Sequence, residues 1–276
     1  MPISSKKLAF CSWSVQPTSC DELIEKINQA GLNRIQLHLN PISEKEAGWE
    51  NAQQKLADAG VVVVSGMLTT LGEDYTTLET IKETGGVYPD STWEQNLAIA
   101  KRAADTAKAF GLSIVSLHAG FIPHDPADVV AIKLRDRMIE ISDYYDSKGL
   151  KISLETGQET AEDLIVFLKA IDRENVGVNF DPANMILYAK GDPIESMVKL
   201  MPYVHQVHIK DANVTNEPGT WGTEEAAGAG QVDWQAFIDV LNENAYDGDM
   251  VIEREAGDNR IGDIKKAVRY ITPLCG

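Results

Sequence analysis

The sequence predicts a single (β/α)8 barrel, and three observations carry that prediction. Helical and strand-like patterns alternate strictly along the chain, which implies parallel strands joined by helical crossovers. Eight such units fit into 276 residues, the size of a closed barrel. A recurring punctuation, helical pattern then Gly then β-rich run, marks the joints in "QAGLNRIQLHL", "DAGVVVVSGML", "AFGLSIVSLHAG" and "SKGLKISLETG". An open doubly wound sheet is the alternative, but it usually shows a Gly-rich first turn, and "CSWSVQP" is not one.

Strands are expected over 8–13, 34–39, 61–68, 113–119, 151–155, 176–181, 204–210 and 249–254. Helices are expected near 20–30, 43–59, 91–110, 126–148, 161–171, 193–201, 233–244 and 260–271. The first strand follows Lys6-Lys7, so "LAFCSWSV" has to be weighed as a signal peptide. It is short, carries two serines and lacks a small-x-small cleavage site, and reads as a strand. Gly31, Gly60, Gly111 and Gly149 stand where a helix end favours a residue tolerant of positive φ. Helix starts are marked by Ser43 with Glu46 and Ser91 with Glu94 as capping boxes. Asp125-Pro126 and Asp192-Pro193 place an N-cap before a Pro at the first helical position. Two connections exceed the usual length: 69–90 after strand three and 211–232 after strand seven. Both leave C-terminal strand ends, where barrels build active sites. One domain over residues 1–276 is expected.

Composition excludes several function classes. The chain has 43% hydrophobic residues and five Trp, ample for a core, and 25 basic against 42 acidic residues, net −17. Duplex binding draws on cationic contacts with phosphates, so nucleic acid is not an expected partner. No run approaches a membrane span. Cys11, Cys20 and Cys275 lack metal-ligand spacing and fit a reduced, cytoplasmic compartment. A homo-oligomer is compatible with all of this.

The chemistry emerges from strand parity, because alternate residues of a strand face opposite sides. In "YVHQVHIKDA" the apolar Val207 and Ile209 belong on the outer face, against the helices. His205 shares that face, while Gln206, His208 and Lys210 point inward. The same test leaves Glu155 with Ser153, Asp181 with Asn179, and Glu253 with Val251 inside. Four consecutive strands thus end with an inward Glu155, Asp181, His208 and Glu253. Such a like-charge cluster raises its own pKa values, and burying unpaired charge costs several kcal/mol per ion. A divalent cation resolves this; oxygen-rich ligands with one nitrogen suit Mn, Mg, Co or Zn.

The chain resembles the xylose-isomerase-like TIM-barrel superfamily, in particular its sugar phosphate isomerase/epimerase branch. The resemblance lies in "SLHAGF" at 116–121, "ISLETG" at 152–157, "NFDPANM" at 179–185, "QVHIKDA" at 206–212, "GAGQVDW" at 228–234 and "GDMVIERE" at 248–255. It implies one divalent metal held by Glu155, Asp181, His208 and Glu253, with Glu155 and Glu253 also moving protons. That assignment has its own physical reason. Removing a proton beside a carbonyl needs the enediolate stabilised, with a base on one face and an acid on the other.

Departures from the family pattern limit what is inherited. Asn184 stands where many members have a His, and Val214 where epimerases of free ketoses have an Arg. Lys210 could bind a substrate oxygen or phosphate instead. Other inward candidates for substrate contact are His118, with a core histidine as its alternative, His38 beside Gln36, and Trp13 as a stacking surface. The run Gly228–Gly230 reads either as a phosphate cradle or as a lid hinge. The expected function is a metal-dependent isomerase or epimerase of a sugar or sugar phosphate, with a small-molecule sugar or polyol as partner. The alternative is a lyase that expels a β-hydroxyl, as inosose and dehydroshikimate dehydratases do. Apurinic endonucleases share the barrel, but they use three metals and extra histidines that this chain lacks.

Overall fold

A computed structural model describes residues 3–217 and 219–275. Eight parallel strands close into a barrel: β1 (Leu8–Cys11), β2 (Arg34–His38), β3 (Val62–Met67), β4 (Ile114–Leu117), β5 (Lys151–Glu155), β6 (Val176–Phe180), β7 (Val204–Ile209) and β10 (Met250–Ile252). Between the last two, β8 (Asp211–Asn213) and β9 (Thr223–Glu225) pair antiparallel outside the barrel, within the 211–232 connection. The connection 69–90 contributes a short helix, Leu78–Thr84. Among the described residues no helix is long and apolar enough to cross a membrane.

Parity sorts the core as expected. Leu8, Phe10, Met250 and Ile252 join the main apolar cluster between strands and helices. Ala9, Cys11 and Val251 form a separate small cluster inside the barrel. Around them the interior is polar: Gln36 Nε2 donates to Ser116 Oγ at 3.2 Å and to Gln206 Oε1 at 3.3 Å. Burying a full Leu or Phe side chain is worth about 1.5–3 kcal/mol, so the outer layer, with its many such residues, carries the stability. The small inner layer leaves room for polar groups.

Joints behave as their residues dictate. Gly31 takes φ 76° and its amide closes on Ile27 O; the three other joint glycines are also positive. Asp192 caps the helix Pro193–Leu200 by accepting from the amides of Ile194 and Glu195. Three expected starts are corrected. Ser43 ends a four-residue helix, Asn40–Ser43, its hydroxyl turned back on Asn40 O at 3.2 Å, and the next helix, Ala52–Asp58, begins after Asn51. Ser91 also caps nothing; Thr92 precedes the helix Trp93–Ala109 without a side-chain cap. Asp125 closes a turn on the Ala127 amide at 2.9 Å, so the next helix starts three residues later, with Asp128 as its cap over Val129–Ser147. Only at Asp128 does a neighbouring polar residue take the capping bond; the helices after Asn51 and Thr92 start without a side-chain cap.

The second correction concerns His205. Pairing of β6 with β7 runs Val178 with Val204 and then Asn179 with Gln206, which leaves His205 as the extra residue of a bulge. Its ring therefore turns into the barrel floor, over Gly177 and 3.2 Å from Ser153 Oγ, instead of against the helical layer. Burial lowers its pKa to about 4. Beyond the bulge the alternation resumes, and His208 still points inward.

Asp211 organises the mouth. Its carboxylate accepts from the amides of Ala212, Gly228, Gly230 and Val232 and from Trp234 Nε1, all at 2.8–3.1 Å. The amides of Gly228 and Gly230 are thus engaged by a carboxylate of the same chain. A phosphate cradle at that run is excluded.

Two expectations follow. A Cβ at Gly177 would lie 2.4 Å from His205 Cε1 and 2.5 Å from Tyr203 O. Gly177→Ala should therefore cost about 1–3 kcal/mol, as overpacking does, in urea unfolding; an unchanged midpoint would contradict the inward ring. Asp211→Ala strands five donors, each worth about 1–3 kcal/mol when left buried and unmet. It should speed proteolytic cleavage within 226–232, and wild-type resistance there would show that the carboxylate does not hold the loop.

Candidate metal centre and substrate cavity

The four inward groups at consecutive strand ends come together. Donor atoms of Glu155, Asp181, His208 and Glu253 all lie within 4.8 Å of one another, every residue buried. His208 Nδ1 is the hub, 3.5 Å from Glu155 Oε1, 3.7 Å from Asp181 Oδ2 and 3.4 Å from Glu253 Oε2. Its far nitrogen, Nε2, lies 2.8 Å from Gln36 Oε1 and 2.9 Å from Asn179 Nδ2.

Each carboxylate is aimed by a named partner. Asp181 leads the short helix Pro182–Leu187, and its Oδ1 accepts from the amides of Ala183 and Asn184. That leaves Oδ2 for the centre. Glu155 Oε1 accepts from Asn184 Nδ2 at 3.1 Å. Glu253 Oε1 accepts from Trp13 Nε1 at 2.7 Å, and its Oε2 from Lys210 Nζ at 2.8 Å.

Electrostatics follow from burial and charge. Burial alone would push the carboxyls up. His208 pulls Glu155 down, while Lys210 and His208 hold Glu253 well below the usual range. Asp181 is raised, because burial outweighs Lys210 and His208 there. For His208 burial opposes protonation, but Cys11, Glu155 and Glu253 hold its pKa well above the ordinary value. A proton on His208 thus supplies the charge that this cluster demands, and a cation could take its place.

The donor set fits a divalent cation by a direct test. His208 Nδ1, Asp181 Oδ2 and Glu155 Oε2 are buried polar atoms without a hydrogen-bond partner among the described residues. Buried polar groups are otherwise almost always paired. These unpaired atoms belong to residues of the four-residue cluster, which makes that cluster a candidate ligand shell. Cys11 is a neighbour of that shell, its Sγ 3.8 Å from His208 Nε2, with the thiol pushed up by burial.

Above the shell opens a cavity of about 540 Å³. The substrate candidates His118, Asn184, Lys210, His38 and Trp13 all line it. His118 Nε2 sits 3.8 Å from Glu155 Oε2. His38 Nε2 is 3.1 Å from Thr69 Oγ1, and burial lowers its pKa to about 4. Lys210 is not free: it also bonds Glu255 Oε2 at 2.7 Å. Trp13 donates to Glu253 and is more than a stacking surface. Val214 is exposed and lies outside the lining.

Parity could not find Glu73, Tyr75, Tyr188, Trp221 and Glu255, which also line the cavity. Glu255 had a signal, standing two residues after Glu253. Tyr188 had one too, a helical turn beyond Asn184. Glu73, Tyr75 and Trp221 sit on the long connections, where no periodicity assigns a direction to a side chain.

Known proteins of similar sequence and fold can be set beside this geometry. The family described as xylose isomerase-like TIM barrel matches residues 24–274. A xylose isomerase domain protein from Planctomyces limnophilus is 31% identical with a TM-score of 0.85, over 99% of this chain and 96% of that one. A xylose isomerase-like TIM barrel protein from Mycobacterium smegmatis, in complex with magnesium, has a TM-score of 0.73 at 20% identity, covering 99% and 96%. L-ribulose 3-epimerase has a TM-score of 0.74 at 14% identity, covering 97% and 94%. These last two likenesses show the fold. An inosose dehydratase from Clostridium botulinum is 26% identical over 44% of this chain and 46% of its own length. The chain thus spans about half the length of the curated relatives it matches. Its barrel, its ordered motifs and the match over residues 24–274 make this chain a member of the xylose isomerase-like TIM barrel family.

Proposed function

We propose that this protein is a divalent-metal-dependent isomerase or epimerase of a keto-sugar or sugar derivative, acting through an enediolate. Glu155, Asp181, His208 and Glu253 are the ligands, and Glu155 and Glu253 the proton-transfer pair. The observation that supports this reading is the donor cluster within 4.8 Å, three of whose buried atoms lack a protein partner. Its oxygen-rich composition suits Mn, Mg, Co or Zn.

Such a cation supplies, when bound, the positive charge a carbonyl oxygen needs while the neighbouring carbon loses a proton. The rest falls to the chain itself. Glu155 Oε2 carries no hydrogen bond, which suits it to accept that proton. His118, 3.8 Å from the same oxygen, steadies it. Both oxygens of Glu253 are engaged, by Trp13 and Lys210. Glu253 is therefore assigned to the opposite face, oriented there by the Lys210 ammonium 2.8 Å away. His38 and Asn184 offer polar contacts to hydroxyl groups.

A second reading is a lyase of a keto-polyol or keto-sugar, in which the same proton loss is followed by departure of a β-hydroxyl. The observation that favours it is the inosose dehydratase relative. A conjugated enone or diketone product, in place of a stereoisomer, distinguishes the two.

Metal analysis tests the ligand set. Protein purified without chelator should carry one tightly bound divalent metal per chain. It should lose activity on chelation and recover it with manganese, magnesium or cobalt. His208→Ala should fail to retain metal; two or more tight metals per chain would contradict the single centre.

Deuterium tests the chemistry. Substrate turned over in deuterated water should gain deuterium beside its carbonyl. Glu155→Gln should abolish both exchange and product, and Glu253→Gln should permit exchange while blocking product, each losing about 10²–10⁴ in turnover. Product free of solvent deuterium would mean hydride transfer and reduce both glutamates to ligands.

A further inference from the structure

The two long connections contribute Tyr75 and Trp221 to the cavity lining, walls of an outer compartment beside the candidate metal cluster. We infer that this compartment holds a second ring: the substrate is an uncharged keto-sugar bearing a sugar or aryl substituent, not a phosphorylated or carboxylated monosaccharide. This rests on the metal-dependent sugar reading above and narrows it.

Size is the first argument. The cavity of about 540 Å³ falls in the range of roughly 300–1,000 Å³ that encloses drug-sized ligands. A single hexose held at Glu155 and Glu253 is much smaller and would leave the outer part filled with water.

The walls of that outer part are aromatic. Trp221 comes from 211–232, Tyr75 from 69–90, and Tyr188 with Leu187 from the turn after β6. Trp221 and Tyr188 meet edge to face, with ring centroids 4.8 Å apart at 68°. The position of Trp221 is held by its neighbour. The Gly222 amide donates to Leu187 O at 3.3 Å, and a Cβ there would lie 2.5 Å from Asn213 O. Trp221 Nε1 is buried and has no hydrogen-bond partner among the described residues. Tyr75 is 45% exposed, yet its hydroxyl reaches Glu73 Oε2 at 3.4 Å. A sugar or aryl ring against such amphipathic rings gains both stacking and hydrogen bonds.

Charge decides against an anionic substrate. The lining carries Glu73, Glu224 and Glu255 in addition to the proposed ligands, and Lys210 is its one Lys or Arg among the described residues. Lys210 is engaged by Glu253 and Glu255. Arg254, just behind, is engaged by Glu224 and Asp263. The glycine amides that could cradle a phosphate are closed onto Asp211. Phosphate recognition draws on free Arg or Lys forks and backbone amides, and among the described residues the lining offers no Lys or Arg free of a carboxylate partner.

Calorimetric titration of the manganese-loaded protein tests this with glucose, phenyl β-D-glucopyranoside and glucose 6-phosphate. The phenyl glucoside should bind at least about tenfold more tightly than glucose, equivalent to about 1.4 kcal/mol, and glucose 6-phosphate no more tightly than glucose. Trp221→Ala should bring the ratio of glucoside to glucose affinity close to one, with bound manganese unchanged as the check on folding. Equal binding of glucose and glucoside by the wild type, or tighter binding of the phosphate, would overturn the second-ring inference and leave the metal-sugar reading standing. Manganese retention with no binding of any of the three would overturn both.

Discussion

Three carboxylates held around one imidazole inside a parallel barrel impose the constraint to which the rest of the molecule answers. Removing each charge from water costs several kcal/mol unless a partner compensates. Here the compensation is distributed over the fold: Lys210 and Trp13 on Glu253, Asn184 on Glu155, and a helix start on Asp181. These donors come from the segments that follow β1, β6 and β7. The barrel is the device that brings them to one point. Even so, three donor atoms remain unpaired, and that deficit is the physical basis of the functional reading.

The carboxylates also explain why the interior layer is small and polar. Ala9, Cys11 and Val251 fill little volume, and Gln36 ties Ser116, Gln206 and His208 together beneath the shell. A bulkier aliphatic layer would bury more apolar area. It would also displace the second hydrogen bond of His208 that orients its ring, a role that partners of ligating histidines commonly serve.

At the mouth the same economy of polar contacts fastens two long connections. Asn40 exchanges bonds with both ends of the Thr69 peptide, and Asn96 accepts from Leu71. Glu224 joins the β8–β9 hairpin to Arg254 and to the amides of Glu255 and Ala256. Asp211 gathers the segment that follows. With their backbones pinned, these loops can present Tyr75 and Trp221 in defined places. Loop residues on a rigid scaffold are where specificity commonly resides.

How much of this was legible in the sequence depends on the range of the interaction involved. Alternation of helix and strand, joint glycines and the two-residue period are local, so the barrel, its eight strands and the inward Glu155, Asp181, His208 and Glu253 could be read from the chain alone. His205 could not. Its direction depends on an extra residue in the pairing of β7 with β6, and only the neighbouring strand reveals that mismatch. The capping boxes at Ser43 and Ser91 also failed: Ser43 ends a short helix, and the helix after Thr92 begins without a side-chain cap. Lys210 was placed inward correctly, but its engagement by Glu253 and Glu255 required the register of β7 against β10. The aromatic and acidic residues of the long connections belong wholly to tertiary structure. No period governs a loop, and the side chains there take their directions from bonds made across the mouth of the barrel.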